Sequence, residues 1–179
     1  MNASDDAGVA GGTAALPLFQ EVQRFRQWFF YVPLLIATGV VWWLFAEQII
    51  LGHPRGSRPI PDSAAWILAI LFGFGFPVFA LVVRLITEVR PGLLWVRLIP
   101  FGSKRISTGE IERAQTREYS PLREFGGWGI RISRNGRAYN AYGNTGVQLV
   151  LTDGSRVLIG TQKPEELLDA LRLAGADFD

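Results

Sequence analysis

The sequence contains no cysteine and only one histidine, and both shortages restrict its chemistry. Without cysteine, disulfides and thiolate metal sites are excluded. The lone His53 has no nearby cysteine or activated serine, so an imidazole in contact with solvent is a simpler interpretation than a base or a metal ligand. We therefore expect no cofactor, no metal and no enzymatic activity. The net charge of +2 is also too small to indicate a nucleic-acid partner.

Charge is missing altogether from two long segments. Residues 28–46 form an uncharged run of 19 residues, and residues 64–83 form another of 20. At about 1.5 Å per residue each run spans roughly 30 Å, the thickness of a hydrocarbon core. The remaining chain is too short to bury two such helices, and tryptophans lie near their ends, as in membrane-interface belts. The sequence predicts two transmembrane helices, at 28–51 and 64–86.

Basic residues near the ends of these helices predict their orientation. Five arginines flank the outer ends of the pair, whereas the connecting loop 52–63 contains two. Positive flanks favour the cytoplasmic side. We expect an inner-membrane, multi-pass protein with both termini in the cytoplasm and the loop outside.

Small residues recur every fourth position in the second helix, at Ala65, Ala69 and Gly73. Such a stripe lets helix backbones approach closely, so these are the candidate helix-packing residues. The partner is either the first helix or a second copy of the chain. An equally simple alternative is that alanine and glycine are common in membrane helices.

The N-terminal segments differ from the rest of the chain. Residues 1–16 are small, polar and rich in glycine and alanine, which predicts disorder. In residues 17–27, Phe19, Val22 and Phe25 lie at helical spacing, with charged residues between them. This pattern predicts an interfacial helix leading into the first membrane helix.

Residues 87–179 change to alternating patterns with turn signals, which are typical of strands. Hairpin turns are predicted at Pro91-Gly92, Asn135-Gly136 and Asp153-Gly154. A C-terminal helix should begin near Pro164 and stop at Gly175. Its buried stripe consists of Leu167, Leu168 and Leu171. The pattern predicts about seven antiparallel strands closed by one helix.

Residues 118–167 include a Pro-Leu turn, the strand GGWGIR, the strand GVQL and the strand-to-helix junction IGTQKPEEL. With the two preceding helices, this order resembles bacterial pleckstrin-homology-like membrane proteins. The resemblance covers roughly residues 87–175. It implies an α+β membrane protein in which a transmembrane hairpin precedes a PH-like, seven-stranded half-barrel with a helical cap. It also implies a noncatalytic scaffold that binds protein or lipid.

The segment GGWGIRISRNGRAYNAYGNTG, residues 126–146, contains three arginines, three aromatic residues and six glycines. Strand alternation places Trp128, Ile130 and Ile132 toward the core and Arg131 toward solvent. Our main interpretation is that Arg131, Arg134 and Arg137 keep an exposed hairpin soluble. The alternative is that these three arginines contact anionic lipid head groups, each contributing about 1 kcal/mol.

The preferred function is a protein-binding or assembly module tethered to the lipid bilayer. Its partners would be an unidentified membrane or cytoplasmic protein, or further copies of the chain in a homo-oligomer. The alternative is a lipid-sensing regulator whose basic hairpin docks on anionic head groups. No nucleic-acid partner is expected.

Overall fold

The computed structural model describes residues 16–53, 60–134 and 136–178. The predicted disorder of 1–16 falls on residues outside these ranges, except for Leu16, as do 54–59 of the connecting loop and Asn135. Two apolar helices span Trp28–Ile50 and Asp62–Val82, and both are long and apolar enough to cross a membrane. Each contains a π-helical segment, at Ala46–Ile50 and Ala69–Gly75.

The described residues form nine strands in two sheets. The four-stranded sheet has the order β1-β2-β3-β4, with β1 Phe19–Arg24, β2 Arg84–Arg90, β3 Leu93–Ile99 and β4 Gly102–Ser107. The five-stranded sheet has the order β5-β8-β9-β7-β6, with β5 Ile111–Glu118, β6 Gly129–Ser133, β7 Gly136–Asn140, β8 Thr145–Leu151 and β9 Arg156–Gly160. A short helix, Pro121–Phe125, precedes β6, and the C-terminal helix is Pro164–Leu173.

The interfacial helix predicted at 17–27 is wrong, because Phe19–Arg24 forms strand β1. β1 pairs antiparallel with β2 along its whole length, from Phe19 opposite Val89 to Arg24 opposite Arg84. Phe19 and Gln23 are buried. The Gln23 side chain donates a hydrogen bond to the Gly160 carbonyl oxygen at 2.8 Å. These contacts join β1 to both sheets, and an interfacial helix would forgo them.

The domain boundary at residue 87 therefore also needs correction. The β-domain includes β1, and the two apolar helices are inserted between the adjacent strands β1 and β2. The second helix ends at Val82 and β2 begins at Arg84, so residues 84–86 belong to the sheet.

The strand count and pairing also differ from the prediction. Seven strands are predicted, whereas the described ranges contain nine; the two additional strands are β1 and β4. β7 and β9 pair in parallel, so the domain is not purely antiparallel. The mixed α+β class and the hairpins β2–β3, β6–β7 and β8–β9 are confirmed.

One apolar core joins the two sheets to the C-terminal helix. Leu167 and Leu171 are fully buried and Leu168 nearly so, which confirms the predicted stripe. The helix is followed by Gly175, whose φ of +91° is easily adopted only by glycine. The C-terminal helix contacts β5 and β8 of one sheet and β1 and β2 of the other, so it covers the core between them.

Candidate functional site

The small-residue stripe of the second apolar helix lies against the first apolar helix of the same chain. Ala65 and Ala69 are buried in a cluster with Phe45. At Gly73, an added Cβ would lie 3.0 Å from the Trp42 ring. The Trp42 indole N–H also donates to the Gly73 carbonyl oxygen at 3.3 Å. The three candidate packing residues thus contribute to one contact within the helix pair.

The three hairpin arginines are all exposed, but they do not converge. Arg131 Nε donates to the Trp128 carbonyl oxygen at 2.9 Å, whereas Arg137 Nη1 donates to the Tyr139 hydroxyl at 3.5 Å. Arg134 lies between the paired strands β6 and β7. The Arg131 side chain thus folds back toward the start of β6, whereas that of Arg137 contacts Tyr139 on β7.

The expectation that Ile132 is buried is wrong, because its side chain is 75% exposed. β6 is an edge strand paired only with β7 among the described strands, so its far end has no neighbour to cover it. Ile130, two residues earlier, packs against the core. Trp128 lies against Phe29 of the first apolar helix, with ring centroids 5.6 Å apart.

A cleft of about 490 Å³ lies where the apolar helices meet the β-domain. We call it the junction cleft. The helices contribute Phe29, Phe30, Phe79 and Ala80 to its lining, and the β-domain contributes Leu98, Phe101, Leu122 and the segment 127–131. Phe79 and Phe101 meet edge-to-face, with centroids 5.7 Å apart. Each side of the cleft thus belongs to a different part of the fold.

The lining of the junction cleft is almost entirely apolar. Phe101 and Leu122 are more than 60% exposed, and apolar side chains exposed together in one groove are typical of ligand or membrane contact surfaces. Arg131 is the one charged residue that lines the cleft within the described part of the chain. The arrangement therefore combines a large apolar surface with a single cation at its edge.

Two arginines beside the first hairpin of the four-stranded sheet share a single carboxylate. Arg90 Nε and Arg97 Nη2 lie 2.5 and 2.9 Å from the two carboxylate oxygens of Glu88, which is buried. The Arg97 and Arg105 guanidinium groups also lie over the Trp95 ring, at 3.9 and 4.6 Å. This network holds the guanidinium groups of Arg90, Arg97 and Arg105 on the sheet, with Glu88 as their one carboxylate partner within the described residues.

Other candidate chemistry is sparse in the ranges that the structure covers. His53 is exposed, and its backbone N–H donates to the Glu47 carbonyl oxygen at 2.9 Å. Among residues 16–53, 60–134 and 136–178, no group of three or more histidine or acidic side chains could hold a metal.

The fold and its cleft define a class: a mixed α+β protein with an apolar helix pair inserted into a β-domain and an apolar cavity at their junction. Residues 13–178 match the model of DUF6141, a family of unknown function, and the chain belongs to that family. Neither a curated protein nor a solved structure matches the chain.

Proposed function

We propose that this protein is a noncatalytic inner-membrane protein that binds a phospholipid in its junction cleft and senses the bilayer through it. The cleft carries this proposal, because its apolar lining includes side chains of both the apolar helices and the β-domain. An acyl chain would cover the phenylalanines, and the phosphate would lie beside Arg131. This is the lipid-sensing alternative, with the contact moved from the hairpin tip to its base.

The exposed surface of the apolar helices supports their placement in a membrane. Their most apolar stretches of 18 residues are only 11% and 22% buried, so the helices do not form the core of a soluble domain. Because β1 and β2 pair side by side, the outer ends of both helices reach the same β-domain. The excess of flanking arginines supports a cytoplasmic location for that domain.

The pleckstrin-homology-like character of the β-domain is part of the same proposal. Its support is the C-terminal helix, which packs between two sheets and covers their shared core. In this proposal the β-domain lies at the membrane surface, and its side of the junction cleft is level with the lipid head groups.

Lipid binding can be tested on the full chain with Phe101→Ser. Phe101 is 62% exposed, so its replacement should leave the fold intact. The control is Leu173→Ser, which alters a 77% exposed leucine on the C-terminal helix. A bound acyl chain would cover the Phe101 ring, and loss of that contact is worth about 1.5 kcal/mol, or roughly tenfold in lipid affinity. Native mass spectrometry after detergent extraction measures the retained phospholipid.

We expect Phe101→Ser to lower lipid retention about tenfold and Leu173→Ser to leave it unchanged. Arg131→Gln should reduce retention of anionic lipid more than Arg134→Gln, since only Arg131 lines the cleft. Equal retention in the wild type and Phe101→Ser would contradict the proposal.

A second candidate function, the protein-binding or assembly module, is favoured by one observation. Ile132 is 75% exposed on the edge strand β6, and an open strand edge can pair with a strand of another chain. Ile132→Lys should then shift the wild-type oligomer toward monomer in light scattering, with Arg134→Lys as the control. A wild type that is monomeric at all concentrations rules out homo-oligomeric assembly.

A further inference from the structure

A second cleft, of about 440 Å³, opens on the five-stranded sheet. We call it the basic cleft. Its floor is formed by Gln148 and Val150 of β8, and arginines from the two neighbouring strands surround it: Arg113, Arg117 and Arg156. Arg131, which lines the junction cleft, does not line this one. The proposed function does not use the basic cleft.

Strand register explains why the arginines come together. Arg113 of β5 lies opposite Val150, and Val150 lies opposite Arg156 of β9. The two arginines are therefore on strands two apart, at the same level of one sheet face, with Cα atoms on the order of 10 Å from each other. Both long side chains can reach an anion held above Val150.

Arg113 and Arg156 are exposed, and within the described residues neither forms an ion pair. Two like charges on one sheet face repel each other even with a strand between them. An anion bound between them removes this repulsion and can accept hydrogen bonds from both guanidinium groups.

The third arginine is fixed in position by its own partners. Arg117 Nη1 donates to Gln148 Oε1 at 3.2 Å, and its Nη2 forms an ion pair with Glu124. Glu124 also accepts a hydrogen bond from the Ser120 backbone N–H at 2.8 Å. Arg117 and Glu124 cancel in charge, so the unneutralised charge of the cleft is that of Arg113 and Arg156.

We infer that the basic cleft binds an oxyanion with at least two negative charges, as in a phosphate monoester or a diphosphate. Two free guanidinium groups match that charge, and a planar guanidinium fork suits phosphate oxygens. A lipid head group and a free phosphorylated molecule share this chemistry.

The test uses the full chain in nanodiscs of phosphatidylcholine, titrated with inorganic pyrophosphate in a calorimeter. The double variant Arg113→Gln, Arg156→Gln should weaken binding at least thirtyfold. The control is Arg123→Gln. Arg123 is an exposed arginine on the short helix, and its side chain does not line the cleft. This substitution should change the affinity by less than twofold. Absence of wild-type binding, or an equal loss in Arg123→Gln, would overturn the inference.

Nanodiscs that contain phosphatidic acid distinguish the two sources of phosphate. If the lipid competes with pyrophosphate in the wild type, a head group reaches the basic cleft. If pyrophosphate binds equally well in both nanodiscs, the ligand is a free phosphorylated molecule. Both results support the site. Phe101→Ser should bind pyrophosphate as tightly as the wild type does. The lipid site in the junction cleft and the anion site in the basic cleft are thus tested independently.

Discussion

Gly73 is the residue on which the close approach of the two apolar helices depends most directly. A Cβ there would lie 3.0 Å from two atoms of the Trp42 indole. The indole cannot easily move away, because it lies edge-on to Phe45 and Phe74, with centroids 5.7 and 4.9 Å away. Gly73→Ala should therefore lower the free energy of unfolding by about 1–3 kcal/mol, the usual cost of overpacking. Thermal unfolding in detergent micelles measures this change.

Gly39 of the first apolar helix provides the matched control, because an added Cβ there meets nothing within 4 Å. Alanine also favours the helix over glycine by up to about 1 kcal/mol. Gly39→Ala should be neutral or stabilising. Equal destabilisation by both variants would show that the Trp42 contact is not the cause.

The Glu124 carboxylate makes a pH-dependent contribution to the free energy of unfolding. The Ser120 backbone N–H, and then Arg117, hold the pKa of Glu124 below its usual value. Because the folded pKa is the lower one, this stability is present above the unfolded pKa, about 4.3, and is lost as pH falls through the folded pKa. As pH falls through this range, the free energy of unfolding of Glu124→Gln should therefore decrease less than that of the wild type.

Urea unfolding between pH 6 and pH 3 tests this expectation. Glu112→Gln, a change of the same charge on an exposed side chain of β5, should keep the wild-type pH dependence. If Glu124→Gln retains the wild-type pH dependence as well, the contacts of Glu124 with Ser120 and Arg117 do not contribute to it.

At the scale of elements, those determined by contacts between residues close in the chain were predictable from the sequence. Those determined by distant contacts were not. The turns at Pro91-Gly92 and Asp153-Gly154 were predictable, because each is a short loop with a glycine at positive φ. β1 was not, since FQEVQR has apolar residues compatible with helical spacing. The acceptor for Gln23 is 137 residues away in the chain. Local periodicity contains no information about such a partner.

The same limit applies to the candidate sites. Arg131 was identifiable as an exposed cation, and the stripe at Ala65, Ala69 and Gly73 as a close-packing surface. The junction cleft was not predictable, because residues from 25 to 131 line it and only the fold brings them together. The basic cleft depends on a strand order in which β8 lies between β5 and β9.

Element β1 can be tested with two substitutions on opposite faces of the strand. Phe19 is 6% exposed and packs in the main core, whereas Val22 is 50% exposed. Phe19→Asp buries an unpaired carboxylate and should cost at least about 3 kcal/mol. Val22→Asp should change stability by less than about 1 kcal/mol. Chemical denaturation of the full chain in micelles gives both values.

If residues 17–27 formed an interfacial helix instead, the two substitutions would have similar effects. Phe19 and Val22 would then both face the bilayer, and both substitutions would weaken membrane association without unfolding the β-domain. Similar stability of Phe19→Asp and Val22→Asp would therefore count against β1 as a core strand.

At the scale of the whole molecule, the apolar helices interrupt one β-hairpin. Arg24 and Arg84 are paired across β1 and β2, although 59 residues, 25–83, separate them in the chain. The β-domain is thus closed by strands from both sides of the helix pair. In the proposed membrane arrangement, a tilt of either helix would act directly on β1 or β2, next to the junction cleft.

This topology predicts that the helix pair can be replaced by a tight turn. In a chain of 16–24, Asn-Gly and 84–178, the turn joins the paired residues Arg24 and Arg84 in the two-residue geometry that Asn-Gly favours. We expect it to fold without detergent, with a dispersed amide spectrum and one cooperative thermal transition. Residues 87–178 alone lack β1 and the buried Leu85 and Ile86, so they should aggregate or remain unfolded. If that shorter chain folds equally well, β1 is dispensable, and the β-domain does begin near residue 87.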